Sequence, residues 1–347
     1  MIHPRPRPLP LERARPDRRD WGGEEDTMAD PDTGGVTAEF VTKRPAPPLR
    51  RFVTAYIGYR EAGGPPGRHR GLPSPYLTMI LTLDDPLVVA VHPDPHTPPG
   101  TYDTLVGGLH TAPAVITHDG RQSGVQLALT PLGARALLGL PAGELADADL
   151  DGAEVLGSAA DELRERLLEA AGWPARFGAL DTALTSLLGS ASGTGPASAG
   201  SPGGRRPLGG GPGTRRGAEA AMPAEVAWAW RRLLDTRGGV GVSDLAREIG
   251  WSTRYLGRRF REEIGLGPKE AARVVRFDRA RRTLRRLADE GAAPTLAALA
   301  ADCGYYDQAH LAREFGALAG CPPSRWLAEE SGNLTAGSPP PASDRPA

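Results

Sequence analysis

Residues 245–265, LAREIGWSTRYLGRRFREEIG, decide the fold of the C-terminal third of the chain, because residues 299–320, LAADCGYYDQAHLAREFGALAG, repeat their pattern. The leading Leu-Ala and Gly positions match at an offset of 54, and the later Leu and Phe positions match at an offset of 55. The second copy therefore carries one extra residue in the middle. An internal match of this detail indicates a duplicated structural unit.

Each copy has the spacing of a helix-turn-helix unit. A small residue lies where two helices cross, a glycine suited to positive φ follows four residues later, and a polar N-cap precedes an apolar pair at i and i+4. These residues are Ala246, Gly250, Ser252, Leu256 and Phe260 in the first copy, and Ala300, Gly304, Asp307, Leu311 and Phe315 in the second.

The second helix of each unit is predicted to be a recognition helix, with its remaining positions facing outward. Arg can bond guanine O6 and N7 together, Gln can pair with adenine, and Ala can contact a thymine methyl group in the major groove. The outward set also holds Gly257 and Ala312. The predicted DNA-binding residues are Thr253, Arg254, Arg258, Arg261, Gln308, Ala309, His310 and Arg313.

Between the units, a long helix is predicted from Pro268 to about Leu287, because Pro is favoured at a helix start and an apolar stripe follows. Its apolar residues are Val274, Phe277, Ala280, Leu284 and Leu287, and its outward row is Arg276, Arg279, Arg282 and Arg286. This row is equally compatible with a solvated helix face and with phosphate contacts.

The C-terminal region resembles the DNA-binding domain of the AraC/XylS family. The resemblance lies in GWSTRYLGRRFREEIGLGPKEAARVVRFDRARRTL and CGYYDQAHLAREFGALAGCPPSRW and covers residues 226–327. It implies seven helices and two recognition helices in successive major grooves about 34 Å apart. Carried over by position, it places base contacts at Arg254, Gly257, Arg258, Gln308, Ala309, His310 and Arg313. Gly257 departs from the family pattern, because it has no side chain to reach a base, so we expect unequal contributions from the two units.

Local charge agrees with a DNA partner, although the whole chain has a net charge of only -1. Residues 226–327 hold 18 Lys and Arg against 12 Asp and Glu, whereas residues 47–190 hold 10 against 16. A basic domain attracts phosphate by displacing counterions from the duplex. The charge distribution thus places DNA binding in the C-terminal part.

The N-terminal half is predicted to be a β-rich α+β module at residues 47–190, with strands first and helices after. Alternating or β-rich runs predict strands at 77–83, 87–91 and 124–130, and helices are predicted at 134–138, 159–171 and 177–188. The runs GLPSPYLTMILTLDDP and GVQLALTPLGARALLGLPAGEL resemble the regulatory domain of some AraC/XylS members. That resemblance implies an effector-sensing or dimerising domain with a cupin-like barrel.

The remaining segments are predicted to be unstructured. Residues 1–46 are rich in Pro and charge and form a disordered tail, residues 191–221 form a flexible Gly/Pro/Ser linker, and residues 331–347 form a second disordered tail. The DNA-binding domain then spans residues 222–330. No signal peptide or long apolar run is present, which predicts a cytoplasmic protein without a membrane partner.

The histidines and cysteines give weaker indications of function. His92, His96, His110 and His118 lack a metal-ligand spacing, Cys303 is expected in the core, and Trp228, Trp230, Trp251 and Trp326 are expected as core anchors. The chain has no nucleophile elbow and no phosphate-binding loop, so neither an enzyme nor a cofactor is predicted.

The sequence thus predicts a transcription factor whose partner is double-stranded operator DNA. RNA polymerase, a small-molecule effector and a second copy of the chain stay open as further partners. One alternative function is an enzyme or small-molecule carrier that the C-terminal domain only locates on DNA. A further alternative for regulation is that the acidic module masks the basic domain in the absence of an effector.

Overall fold

The computed structural model describes residues 36–192, 222–292 and 295–332, all within one compact unit, Gly35–Ala347. Residues 1–35 of the predicted N-terminal tail lie outside the described residues. The same holds for residues 193–221 of the predicted linker and for residues 333–347 of the predicted C-terminal tail.

Ten strands lie in the described ranges and form two antiparallel sheets. They are β1 (Thr37–Lys43), β2 (Val53–Ala62), β3 (Gly67–Gly71), β4 (Leu77–Thr82), β5 (Leu87–Val91), β6 (Gly100–Tyr102), β7 (Thr104–Gly107), β8 (Ala114–His118), β9 (Gln122–Leu129) and β10 (Asp149–Asp151). The larger sheet has the order β1-β2-β9-β4-β7-β10, and the smaller has the order β3-β8-β5-β6. The predicted strands at 77–83, 87–91 and 124–130 correspond to β4, β5 and β9.

The larger sheet is the middle layer of the N-terminal module. In β4, Leu77, Met79 and Leu81 face the main core, while Ile80 belongs to a separate cluster with side chains of the smaller sheet. Successive strand residues point to opposite faces, so both faces of this sheet are buried. One face packs on helices and the other on the smaller sheet.

Strand β1 corrects the prediction that residues 1–46 form a disordered tail. Thr37–Lys43 pairs antiparallel with β2, with Phe40 opposite Tyr59. The strand forms the sheet edge and most of its residues are exposed, so its sequence carries little apolar periodicity. Its order comes from backbone pairing with β2.

Eleven helices lie in the described ranges. They are α1 (Pro131–Gly133), α2 (Gly152–Leu156), α3 (Ser158–Glu169), α4 (Gly172–Ser192), α5 (Ala224–Asp235), α6 (Val242–Glu248), α7 (Thr253–Ile264), α8 (Pro268–Asp289), α9 (Leu296–Asp302), α10 (Gln308–Ala319) and α11 (Pro323–Gly332). A π-helical turn, Ala134–Leu138, continues α1, and 3-10 turns occupy Pro47–Leu49 and Ala142–Leu145. The three helices predicted in the module are present, and α4 begins five residues before the predicted start.

Helix α4 covers the larger sheet through aromatic stacking. The ring centroids of Tyr56 and Phe177 lie 6.0 Å apart, and those of Trp173 and Phe177 lie 6.2 Å apart. Gly58 on β2 makes room for the indole, because a Cβ at this position would lie 2.4 Å from a Trp173 ring carbon. The close approach of α4 to β2 therefore requires glycine.

Helices α5 to α11 form the C-terminal domain, the number that the family resemblance implies. Their core is continuous with that of the N-terminal module, since one cluster of buried side chains includes Leu127 of β9, Leu145 and Phe260 of α7. The two parts of the chain thus pack on each other through apolar side chains. Trp230, Trp326 and Cys303 are buried as predicted, whereas Trp228 and Trp251 are partly buried.

Candidate nucleic-acid interface

Two helix-turn-helix units are present in the C-terminal domain, formed by α6 with α7 and by α9 with α10. The turns contain Gly250 with φ 73° and Gly304 with φ 78°, as the repeat predicts. Ala246 and Ala300 are buried where the helices of each unit meet. Because the left-handed region strains residues with a Cβ, both glycines are required by the turn.

The recognition helices α7 and α10 begin at the predicted caps. The Ser252 hydroxyl accepts a hydrogen bond from the Tyr255 amide at 3.2 Å, and the Asp307 carboxylate accepts one from the His310 amide at 2.6 Å. Such caps satisfy amides that have no partner within the helix. The inward pairs, Leu256 with Phe260 and Leu311 with Phe315, are fully buried.

The predicted DNA-binding side chains lie on the opposite faces of these two helices. Seven are exposed, namely Thr253, Arg254, Arg258, Arg261, Gln308, Ala309 and Arg313, and His310 is half-buried. Within the ranges that the structure describes, Arg254 and Arg313 form no ion pair. Their guanidinium groups are therefore available to phosphate or bases.

Two predicted contact residues have protein partners. The Arg258 guanidinium lies 5.3 Å from the ring centroid of Tyr255 and 3.9 Å from a Glu262 carboxylate oxygen, and Arg261 pairs with Glu270 at 3.3 Å. These groups are solvent-exposed, where an ion pair contributes about 0–1 kcal/mol. Breaking either ion pair therefore costs little.

Gly257 on α7 leaves open space on the first recognition helix. A Cβ built there meets no heavy atom within 4 Å. The first unit thus lacks a side chain at the centre of its outward face, in agreement with the departure from the family pattern.

Two of the four arginines in the outward row of α8 have contacts inside the protein, a role that neither interpretation of the sequence included. Arg276 donates to the Gly238 carbonyl at 2.6 Å, and Arg282 lies 2.8 Å from Asp278 with little exposure. Arg286, which pairs with Glu290 at 3.0 Å, stays exposed. Sequence periodicity could not show the Arg276 contact, because Gly238 lies 38 residues away in the chain, whereas Asp278 and Arg282 are four residues apart on α8.

The N-terminal module contacts the first unit at the C-terminal end of α7. Arg135 donates two hydrogen bonds to the buried Glu263 carboxylate, at 2.7 and 2.8 Å. A Cβ at Gly143 would lie 2.2 Å from the Glu262 carbonyl oxygen, so the backbones approach closely there. The module thus holds the C-terminal end of α7 in place, and no local pattern in the sequence predicts this contact.

A second contact reaches α11, the helix that follows the second unit. The Arg70 guanidinium of β3 forms an ion pair with Glu329 of α11. This pairing and that of Arg325 hold the pKa of the Glu329 carboxyl below its usual range. The N-terminal module therefore contacts the first unit and the helix that follows the second unit.

A cavity of about 140 Å³ lies between the two sheets and is closed on one side by α8. Its apolar wall includes Ile80, Leu105 and Ile116, and its polar wall includes Arg281 and Arg282. Both guanidinium groups pair with the Asp278 carboxylate, at 2.6 and 2.8 Å. The cavity thus joins an apolar interior to two guanidinium groups of the DNA-binding domain.

The histidines of this cavity are held neutral near pH 7. Burial lowers the pKa of His69 to about 4, with the neighbouring His118 acting in the same direction. Burial also lowers the pKa of His110, although its hydrogen bond to the Ala112 carbonyl opposes this shift. Positive charge at the cavity therefore comes from arginine.

The histidines do not assemble a metal site within the described ranges, where no three His, Cys, Asp or Glu side chains are close enough to share an ion. His92 instead bonds the Asp149 carboxylate at 2.7 Å.

Among the helices that the structure describes, none has the length and apolar character needed to cross a membrane.

Family models match two segments of the chain. Residues 245–329 match a helix-turn-helix domain, and residues 42–151 match a domain of unknown function (DUF6597). No curated protein matches the sequence.

Several solved structures share features with the chain at low identity. ToxT from Vibrio cholerae is 8% identical, covers 85% of this chain and 98% of its own, and has a TM-score of 0.42. The AraC-like transcriptional activator CuxR is 15% identical, covers 77% and 87%, and has a TM-score of 0.28. The C-terminal domain of AraT, a response regulator from Geobacillus stearothermophilus, is 17% identical, covers 31% and 88%, and has a TM-score of 0.28. These sequence identities and TM-scores are too low to support an argument, so the assignment of the helix-turn-helix domain rests on the family model for residues 245–329.

Proposed function

We propose that this chain, a DNA-binding transcription regulator with an AraC-type helix-turn-helix domain at residues 245–329, recognises a specific operator with both of its units. The observation that carries the proposal is the pair of capped helices α7 and α10, each with a buried inner face and an exposed outer face. Recognition helices of this kind place their N-terminal residues against base edges in the major groove.

The exposed side chains match the chemistry of base edges. We assign Arg254 and Arg258 to guanine, Gln308 to adenine and Ala309 to a thymine methyl group, because these pairings satisfy the donor and acceptor pattern of each base. Thr253, Arg261, His310 and Arg313 complete the proposed contact set. Since Gly257 provides no side chain, we expect the second unit to contribute more discrimination.

The length of helix α8, which joins the two units, supports binding to successive grooves. Its 22 residues span about 33 Å at 1.5 Å per residue. One turn of DNA is about 34 Å, so a strut of this length supports binding to one side of the duplex.

The test uses a duplex selected by the wild-type protein from a randomised pool. Substituting Arg254, Arg258 or Arg313 by Ala should each weaken binding by about 1–3 kcal/mol in a gel-shift titration, because a base contact is lost. Arg166→Ala is the matched control, since this arginine is exposed on α3, far from the recognition helices in sequence. Unchanged binding of all three variants would show that the proposed surface is wrong.

We further propose that the cavity between the sheets takes a small amphipathic anion as effector. The apolar wall suits a hydrocarbon group, and Arg281 and Arg282 suit a carboxylate, which guanidinium groups bind through paired hydrogen bonds. Because both arginines belong to α8, an anion bound there would act directly on the strut between the two units.

Hexanoate is a suitable probe, with 1-hexanol as its uncharged counterpart. Binding to the folded state raises thermal stability with ligand concentration. We expect hexanoate but not 1-hexanol to raise the melting temperature, and Arg281→Gln to reduce that rise. An equal response to both compounds would contradict recognition of the carboxylate.

A further inference from the structure

Tyr306 is the feature of the DNA-binding domain that the proposed contact set leaves out. Its exposed fraction, 93%, is the largest of any large hydrophobic side chain in the described ranges. Burying an aromatic side chain stabilises a fold by about 1.5–3 kcal/mol. An aromatic group held in solvent beside a recognition helix therefore contributes nothing to the fold.

The extra residue of the second repeat explains why Tyr306 is exposed. In the first unit, the Trp251 ring packs edge-on against Tyr255 at 4.8 Å, and its amide donates to the Ala246 carbonyl. In the second unit, Tyr305 makes the equivalent contacts, because its ring packs against His310 at 5.3 Å and its amide donates to the Ala300 carbonyl. Tyr306 is therefore the extra residue, and it lies between this packed ring and the N-cap Asp307 with its side chain in solvent.

The backbone of Tyr306 is nevertheless held in place. Its amide donates to Nδ1 of His310 at 3.3 Å. A neutral imidazole that accepts at Nδ1 carries its proton on Nε2, so His310 presents a donor at its other nitrogen. The same contact fixes the position of Tyr306 and the tautomer of a proposed base-contacting residue.

The position of Tyr306 is next to the N-terminus of α10, where DNA phosphates approach a recognition helix. The Asp307 carboxylate occupies that N-terminus through its bond to the His310 amide. The negative charge of Asp307 repels a phosphate from the helix end itself, so a phosphate near α10 requires a hydrogen-bond donor beside that end. The hydroxyl group of Tyr306, one residue earlier, is such a donor.

We propose that the Tyr306 hydroxyl donates a hydrogen bond to a backbone phosphate oxygen at the edge of the DNA segment contacted by α10, with its ring against the adjoining deoxyribose. This inference rests on the proposed function, because it requires α10 to enter the groove. Contacts to phosphate position a protein on DNA without specifying sequence. Tyr306 is thus a positioning contact for the second unit.

The experiment measures binding of the full chain by fluorescence anisotropy to the selected duplex and to a scrambled duplex of equal length. Tyr306→Ala should weaken binding about tenfold and Tyr306→Phe about fivefold, on both duplexes. Because tyrosine is neutral, the slope of log K against log salt should stay at the wild-type value. Leu168→Ala, which removes an exposed apolar side chain on α3, is the matched control and should bind as wild type.

Several results would overturn the inference. Wild-type affinity of Tyr306→Ala would exclude a contact, and wild-type affinity of Tyr306→Phe would exclude the hydroxyl group as donor. A loss confined to the selected duplex would indicate a base contact instead. Unchanged DNA binding with reduced transcription by purified RNA polymerase would make Tyr306 a polymerase contact.

The arginine variants separate this inference from the proposed function. If Arg254→Ala and Arg313→Ala weaken binding while the Tyr306 variants do not, only the inference fails. If none of these variants weakens binding, the proposed recognition surface itself fails.

Discussion

The ion pair between Arg135 and Glu263 should be the strongest single polar contact between the N-terminal module and the first helix-turn-helix unit. Arg135 lies on the π-helical turn after α1 and donates two hydrogen bonds of 2.7 and 2.8 Å to the carboxylate. The Glu263 side chain is 5% exposed and that of Arg135 is 17% exposed. Arg135→Ala would remove both donors and leave a buried carboxylate.

The expected cost follows from desolvation. Removing one partner of a buried ion pair costs about 3–5 kcal/mol, because the remaining charge is no longer compensated. At roughly 2–4 °C per kcal/mol, this change should lower the melting temperature by roughly 6–20 °C. Urea unfolding monitored by tryptophan fluorescence measures the loss of free energy directly.

A control and a rescue variant test the reasoning. Arg286→Ala breaks a pair with Glu290 in which both side chains are more than half exposed, so it should cost less than about 1 kcal/mol. The double variant Arg135→Met/Glu263→Met should recover most of the loss, because apolar groups of similar volume can replace a buried ion pair. A loss below about 1 kcal/mol for Arg135→Ala would refute the importance of burial here.

Three further predictions concern the cavity, the interface and the first recognition helix. Burial lowers the pKa of His69 to about 4, below its value of about 6.5 in the unfolded chain, so the folded state binds fewer protons between these values. The free energy of unfolding should therefore be highest above about pH 6.5 and fall by about 3 kcal/mol as the pH falls to 4. His69→Gln should flatten this part of a urea-unfolding profile, and an unchanged profile would contradict the assignment. Gly143→Val should destabilise the protein, because its Cβ would lie 2.2 Å from the Glu262 carbonyl oxygen, whereas Gly178→Ala should cost less, since Gly178 lies within α4 and a Cβ there meets no heavy atom within 4 Å. Calorimetric melting compares the stability of the two variants, and equal losses of stability would contradict the close approach of the two backbones at Gly143. Gly257→Gln should stabilise α7 by up to about 1 kcal/mol, because glycine disfavours a helix interior. The new side chain should also add a preference for adenine in the operator. Repeating the selection from a randomised duplex pool with this variant measures the preference, and an unchanged selected sequence would contradict it.

The helix-turn-helix units could be predicted from sequence because their determinants are local. Caps, turn glycines and an apolar pair at i and i+4 act within one or two helical turns, and Ser252, Gly250 and Phe260 occupy the predicted roles. The base-contacting assignments stay predictions, since exposure permits a contact without identifying the base.

The β-rich module was predicted less completely. Strand β4 has clear alternation and was found, whereas β2 contains Gly58, Arg60 and Glu61 and was not assigned as a strand. Strand β1 was placed in a disordered tail, because an exposed edge strand lacks the apolar periodicity that marks a buried one. Backbone pairing decides both strands, because β1 pairs with β2, and β2 also pairs with the distant strand β9.

The sequence by itself determined the duplicated unit, its caps and its outward faces, because hydrogen bonds and side-chain spacing within about twenty residues specify them. Only the tertiary structure decided what those charged side chains do whose contacts lie far away in the chain. Arg276 and Arg282 were both placed in the outward row of α8, yet the first donates to the Gly238 carbonyl and the second lies at the cavity wall. Likewise, nothing local marks Arg135 and Glu263, 128 residues apart, as partners. An ion pair depends on distance in space, and packing alone sets that distance for residues so far apart in the chain.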